Sequence, residues 1–405
     1  MRQRHPVSST SDERGPRPRL WSFGPPLIVF LVVNIVLLIA AQAEGHHYLD
    51  PATWTFWDSF HYIEISEEGY QAEACTRFRL VDWGSMRDTL LESLGFEVQG
   101  EDVCGNAGWF PGYPMAIRLV SSTGLSPPSA AVVLAIAFQL ATLFALWRWF
   151  LARRERTTAL TALAMAGFFF GHVYFRAAFP ISIFTFLVLL HLRLAMRERW
   201  LSAGVAGAAA AFVYPTGFLL APATLAWVLY RREARTSRRL RGAAAAGSAT
   251  LVGFAAVHLV QWRATGIWLA FFKIQSRFGY GMNPPTDRLI EVISPVFSDG
   301  LSMATVPALH SLATTIFILG LLGLALVHRR DLDPEESWSA IAMTALWLFP
   351  LILGGDTSLY RIHAVLVPAV LLFPRAPAWF GYAAVAVGVA LSYPMALLFF
   401  RGTLI

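Results

Sequence analysis

Long apolar runs alternate with short charged joints along almost the whole chain, and this pattern predicts membrane-spanning helices rather than the half-apolar helices of a soluble domain. The runs fall at Leu27–Ala43, 129–150, 159–175, 181–196, 200–214, 216–230, 243–262, 307–327, 338–353, 361–373 and 378–399, so about 11 transmembrane helices are expected. The joints include Arg153, Arg154 and Arg156, then Arg197-Glu198-Arg199, then Arg231 to Arg241, then His328-Arg329-Arg330. Residues 1–24 are polar, carry Arg2, Arg4, Arg14, Arg17 and Arg19, and read as a disordered cytoplasmic tail. Residues 25–400 read as one transmembrane domain. Ala41-Gln42-Ala43 matches the small-residue pattern of a signal-peptidase site, but a retained first helix is expected because ten further spans follow.

Two polar segments interrupt the pattern, 44–128 and about 263–306. The first is too long for a simple turn, and long segments of this kind are usually functional. Helices are expected within it from Trp57 to Glu68 and from Tyr113 to Val120, lying at the membrane surface.

Composition sharpens this picture. Of 405 residues, 56% are hydrophobic and 14% charged, against about a quarter charged in soluble domains. The net charge of +6 does not point to nucleic acid, because the basic residues form small clusters between apolar runs. That distribution follows the positive-inside rule and places the N-terminus and the Arg-rich joints in the cytoplasm. Segment 44–128 holds 13 of the 26 acids and is placed outside. Cys75 and Cys104 both lie in it, with no metal-type spacing; a disulfide and two free thiols both remain open. Abundant Ala and Arg with little Lys suggests a bacterium of high GC content.

Polar residues near lipid need a reason. The densest cluster is Trp57-Asp58-Ser59-Phe60-His61-Tyr62-Ile63, followed by Glu64, Glu67, Glu68, Gly69 and Tyr70. On a helix, Asp58, His61, Tyr62 and Ile65 share one face. A carboxylate held there can accept a proton from an incoming hydroxyl; the same Asp58 also suits a helix cap. A second cluster is Trp109-Phe110-Pro111-Gly112-Tyr113-Pro114, with Pro114 suited to the first turn of a helix.

These clusters, in this order after one N-terminal span, resemble the GT-C superfamily, and within it the phosphatidylinositol-glycan class V type mannosyltransferases and their bacterial relatives. The resemblance rests on Trp57-Asp58, on Ile65 to Tyr70, on Phe110 to Pro114, on Pro215-Thr216-Gly217 and on Arg361, and spans roughly residues 25–375. Tyr214 stands where the family usually has Arg, and Ile362 where it usually has Tyr.

The resemblance implies a GT-C-like, all-α polytopic membrane fold and an inverting hexosyltransferase at the extracytoplasmic face of a bacterial plasma membrane. Its partners would be a polyprenyl-phosphate sugar, mannose by resemblance, and a glycolipid, glycan or protein acceptor. Asp58 would be the general base, with Trp57, His61, Tyr62 and Tyr113 lining the site. The leaving lipid phosphate is already anionic and needs cationic groups rather than a proton. Candidates at outer ends are Arg361, His363, Lys273, Arg277 and Arg176, arginine suiting phosphate through its fork of donors. No cofactor or metal is expected, and the chain has no DxD motif. The alternative reading is a transporter or lipid flippase. Transporters carry ionisable residues near mid-membrane, whereas polar residues inside these spans are few, among them Asn34, His191 and His258.

Overall fold

The computed structural model describes residues 19–74, 103–231, 236–278, 282, 284–354 and 359–404. Much of the expected tail and the middle of segment 44–128 therefore lie outside the described residues. Helix α1 (Arg19–Ala43) begins earlier than the expected span, because Leu20, Trp21 and Phe23 extend its apolar run. A short turn of 3-10 helix (Pro51–Trp54) leads to α2 (Asp58–Glu67). Strand β1 (Ala72–Ala74) pairs antiparallel with β2 (Val103–Gly105), Glu73 opposite Cys104. Cys104 is disulfide-bonded; Cys75, the only other cysteine of the sequence, lies outside the described residues. Next come α3 (Gly112–Ser121), α4 (Pro127–Trp149), α5 (Arg156–Gly167), a 3-10 turn at His172–Phe175, α6 (Ile181–Met196) and α7 (Trp200–Val213). A 3-10 turn at Pro215–Leu219 opens α8 (Leu220–Tyr230), followed by α9 (Ser237–Thr265). The second polar segment folds into short helices α10 (Ala270–Gln275), α11 (Pro285–Ile293) and α12 (Pro295–Ser298). The chain finishes with α13 (Val306–Val327), α14 (Pro334–Leu353), α15 (Leu359–His363), a 3-10 segment Ala364–Arg375 and α16 (Ala378–Phe400).

Six of these helices are long and apolar enough to cross a membrane, running within Trp21–Ala43, Pro127–Arg153, Ser237–Thr265, Met303–Val327, Pro334–Leu353 and Ala378–Phe400. Their outer faces are as apolar as their inner ones: Ile28, Leu31 and Ile35 of α1 are exposed while Val33 and Leu37 are buried. A helix apolar all round needs lipid beside it, and the chain is an integral membrane protein. Other expected spans are shorter, such as Ile181–Met196, Trp200–Val213 and Pro215–Tyr230. The span expected at 361–373 differs in kind. Only its first turn is α-helical; Ala364–Arg375 is 3-10 helix containing Pro368 and Pro374. Proline lacks the N–H that an α-helical ladder needs, and Ala364 to Phe373 are buried inside the bundle rather than set against lipid.

The bundle has two chemically distinct ends. At the basic end, Arg154 pairs with Asp333 at 2.6 Å and with Glu335 at 2.7 Å, while the fully buried Glu336 lies 3.3 Å from Arg154 and 2.8 Å from Arg375. At the other end, the loop end, Arg401 pairs with Glu44 at 2.7 Å, and the His46 ring nitrogen lies 2.8 Å from the Phe400 carbonyl. Trp54 packs on Phe399 and Phe400. The first and last helices thus meet beneath α2.

Candidate active site

Helix α2 starts at Asp58, and what sets its direction is the residue before. Trp57 has φ 47° and ψ −119°, a region that residues with a side chain rarely enter. Its ring is held between Phe56 (centroids 5.6 Å apart) and Phe399 (6.1 Å). The chain therefore turns sharply and presents Asp58 in the first helical turn, where the helix dipole favours a negative charge. Tyr62 and Ile65, one and two turns on, are buried, so the face expected from the i, i+3, i+4 spacing is the face that packs inward.

Helix α3 supports this face. Tyr62 packs edge-on against Tyr113 at 5.4 Å, and the Tyr113 hydroxyl donates to the Ala131 carbonyl of α4 at 2.9 Å. Arg118 donates to the Ser66 and Ile65 carbonyls, satisfying the end of α2. Tyr113 thus backs Tyr62, its own hydroxyl already engaged. His61 stacks on Trp109 at 3.6 Å, with Glu64 3.6 Å from its ring nitrogen.

The glycines of two motifs allow close approach here. A Cβ on Gly112 would stand 2.8 Å from the Phe212 carbonyl, and one on Gly217 would stand 2.5 Å from the Ala210 carbonyl. Both contacts press on the last turns of α7. Tyr214 follows at once, its ring 4.9 Å from Phe184.

Arg361 of α15 donates from Nη1 to the Asp58 carboxylate. The two side chains are 20% and 27% exposed, so the pair sits in a recess rather than in the core. The guanidinium also lies over the Phe179 ring, 5.4 Å from its centroid. An arginine guanidinium stays protonated at every working pH. Arg361 is therefore a permanent cation facing Asp58.

The other expected cations stand elsewhere. Arg176 is buried over the Trp54 and Tyr48 rings, at 4.5 and 5.2 Å, with its Nε 3.5 Å from the Tyr48 hydroxyl. Burial lowers its pKa, and its Nη1 has no hydrogen-bond partner among the described residues. His363 is two residues from Arg361, which is about 200° around a helix. Its ring stacks on His310 at 6.1 Å instead of facing Asp58. Lys273 is exposed on α10. The side chain of Arg277 lies outside the described residues.

Sequence reasoning missed Phe179, Tyr174 and Tyr360 as neighbours of this pair. Tyr174 lies 5.3 Å from Phe179 and 6.3 Å from Tyr360. The signals were Tyr360 directly before Arg361, Phe179 at an outer turn and the run Tyr174-Phe175-Arg176 at a span end, which pattern alone does not connect to α2. Among the described residues no cluster of His, Cys, Asp and Glu is arranged to hold a metal ion.

No family model matches the chain, and no curated protein matches it in sequence. Among solved structures it is similar to ArnT from Cupriavidus metallidurans, a crystal structure bound to undecaprenyl phosphate. The likeness has a TM-score of 0.52 at 13% identity and covers 94% of this chain and 76% of that one. At that identity the likeness is one of fold, and the architecture is GT-C-like, all-α and polytopic.

Proposed function

We propose that this chain is an inverting glycosyltransferase that moves a hexose, mannose by sequence resemblance, from a polyprenyl-phosphate donor to a hydroxyl acceptor. The observation that carries this reading is the Asp58–Arg361 pair. It joins residues 303 positions apart, both singled out by motif, in a recess at the loop end of a fold shared with a protein bound to undecaprenyl phosphate. By the positive-inside rule this recess faces away from the cytoplasm, at the outer face of a bacterial plasma membrane.

The chemistry follows from the two charges. The acceptor oxygen attacks the anomeric carbon from the face opposite the phosphate. Its proton passes to Asp58, which acts as general base. The bond from the anomeric carbon to the phosphate oxygen breaks, and its electron pair leaves with the lipid phosphate. Arg361 stabilises that growing charge through its fork of donors. An ion-paired carboxylate is a poor base, so donor phosphate must first draw Arg361 away from Asp58. This makes binding ordered, donor before acceptor. His61 and Trp57 frame the recess. Lys273 and Arg277 of the second polar segment are secondary candidates for the lipid phosphate, Arg176 and His363 being turned away from the recess, and the acceptor is a glycolipid, a glycan or a protein.

Purified protein in detergent, given radiolabelled polyprenyl-phosphate mannose and a membrane extract, should form a new labelled product. Asp58→Asn should abolish transfer in protein that still expresses and folds. Normal turnover by this variant would remove Asp58 as the base, and no transfer from any polyprenyl-phosphate sugar would favour a transporter instead.

A further inference from the structure

Buried phenols normally find hydrogen-bond partners, and several tyrosines at the loop end do. Tyr48 donates to Asn34, Tyr70 to the Trp109 carbonyl and Tyr113 to the Ala131 carbonyl. Tyr62 and Tyr174 are the exceptions. They are 6% and 1% exposed; neither hydroxyl is hydrogen-bonded to a described residue, and neither oxygen is among the fully enclosed unpartnered atoms, so both keep an opening to an incoming group.

Their position is not arbitrary. Phe179 is a shared platform: Tyr62 packs against it at 6.4 Å, Tyr174 at 5.3 Å, and the Arg361 guanidinium lies over it at 5.4 Å. Tyr62 is one turn along α2 from Asp58, and Tyr174 stacks on Tyr360, the residue next to Arg361. Two O–H groups without a protein partner among the described residues therefore flank the guanidinium of Arg361, which faces Asp58. A phenol is protonated at neutral pH, so both can donate. A group that would satisfy two phenols and a guanidinium together must be an acceptor with several oxygens and negative charge.

We propose that the hydroxyls of Tyr62 and Tyr174 donate hydrogen bonds to the phosphate of the lipid-phosphate donor, completing with Arg361 a three-sided anion site. This rests on the proposed function above. The two neutral donors stabilise charge on the phosphate without adding a second fixed cation, which would compete with Arg361 for Asp58 in the empty site. As the anomeric bond breaks and charge accumulates on the phosphate oxygens, both hydrogen bonds strengthen.

Tyr62→Phe and Tyr174→Phe remove only the hydroxyls and leave the rings on Phe179. Binding of undecaprenyl phosphate to the full chain in detergent should weaken about tenfold in each variant, the scale of a hydrogen bond to a charged group, and further in the double variant. Binding of neutral undecaprenol, which lacks the phosphate, should be unchanged, as should the thermal midpoint. Wild-type protein that binds the lipid phosphate while both variants bind it equally well overturns this inference alone. Equal weakening toward undecaprenol also overturns it, because the hydroxyls would then be structural. Unchanged lipid binding with a raised acceptor KM would assign the phenols to the acceptor instead. Wild-type protein that does not bind the lipid phosphate overturns the proposed function and this inference with it.

Discussion

Trp57 occupies a backbone conformation that costs a residue with a side chain about 1–3 kcal/mol, and it does so immediately before Asp58. Its ring contacts with Phe56 and Phe399 are what hold it there. The two contributions separate by substitution. Trp57→Ala loses the ring and keeps the strain, whereas Trp57→Gly loses the ring and relieves it, because glycine enters positive φ freely. In detergent melts the Gly variant should therefore be the more stable of the two, by about 1 kcal/mol. The reverse order would show that the turn is not strained. At this scale the sequence was partly legible. Trp57-Asp58 stands out as a pair, but the strain and the partner of Asp58 do not, since a dihedral and a contact 303 residues away leave no local pattern.

Helix ends illustrate what is readable one level up. Glu155 caps α5, accepting from the Thr157 and Thr158 backbone N–H groups, each at 2.9 Å. These hydrogen bonds pull its carboxyl from the ordinary 4.5 down to about 2. A carboxyl depressed on folding stabilises the folded state above its unfolded pKa, and that contribution is lost as pH falls toward the folded one. Wild-type protein should thus melt above Glu155→Gln at neutral pH, with the gap closing as pH drops from 4.5 toward 2. A gap independent of pH would mean that the charge plays no part. Helices α2 and α3 were expected within two residues of their observed bounds, because amphipathic spacing and Pro114 are local signals. The 3-10 segment Ala364–Arg375 was not foreseen. Its apolar run reads like any span, and only its burial on all sides shows that neighbouring helices enclose it.

Across the whole molecule, the two ends of the bundle are held by different forces. The loop end closes through aromatic packing of Trp54, Phe56, Phe399 and Phe400, together with Arg401 and Glu44. The basic end is tied by Glu336, fully buried between Arg154 and Arg375, which links the start of α5, the start of α14 and the close of the 3-10 segment. Removing one partner of a buried ion pair leaves the others uncompensated and costs about 3 kcal/mol or more. Glu336→Gln keeps the shape and removes the charge, so it should lower the thermal midpoint clearly while leaving the proposed donor binding at the opposite end intact. An unchanged midpoint would show that Asp333 and Glu335 suffice to neutralise Arg154.

The sequence by itself determined that the chain is a polytopic membrane protein, and it singled out a sidedness and the candidate residues Trp57-Asp58 and Arg361. Each of these is written in hydropathy, in charge distribution or in a short motif, and needs no knowledge of which helix neighbours which. Only the tertiary structure decided that Arg361 meets Asp58, that Phe179 carries Arg361, Tyr62 and Tyr174 together, and that Arg176 and His363 turn toward Trp54 and His310 instead. The physical reason is that hydropathy fixes how deep a residue lies and leaves the rotation of its helix undetermined. That rotation is set by packing against neighbours, here by Gly112 and Gly217 letting α3 and the Pro215–Leu219 turn approach α7 closely, and it selects which of several polar residues at one depth share a site.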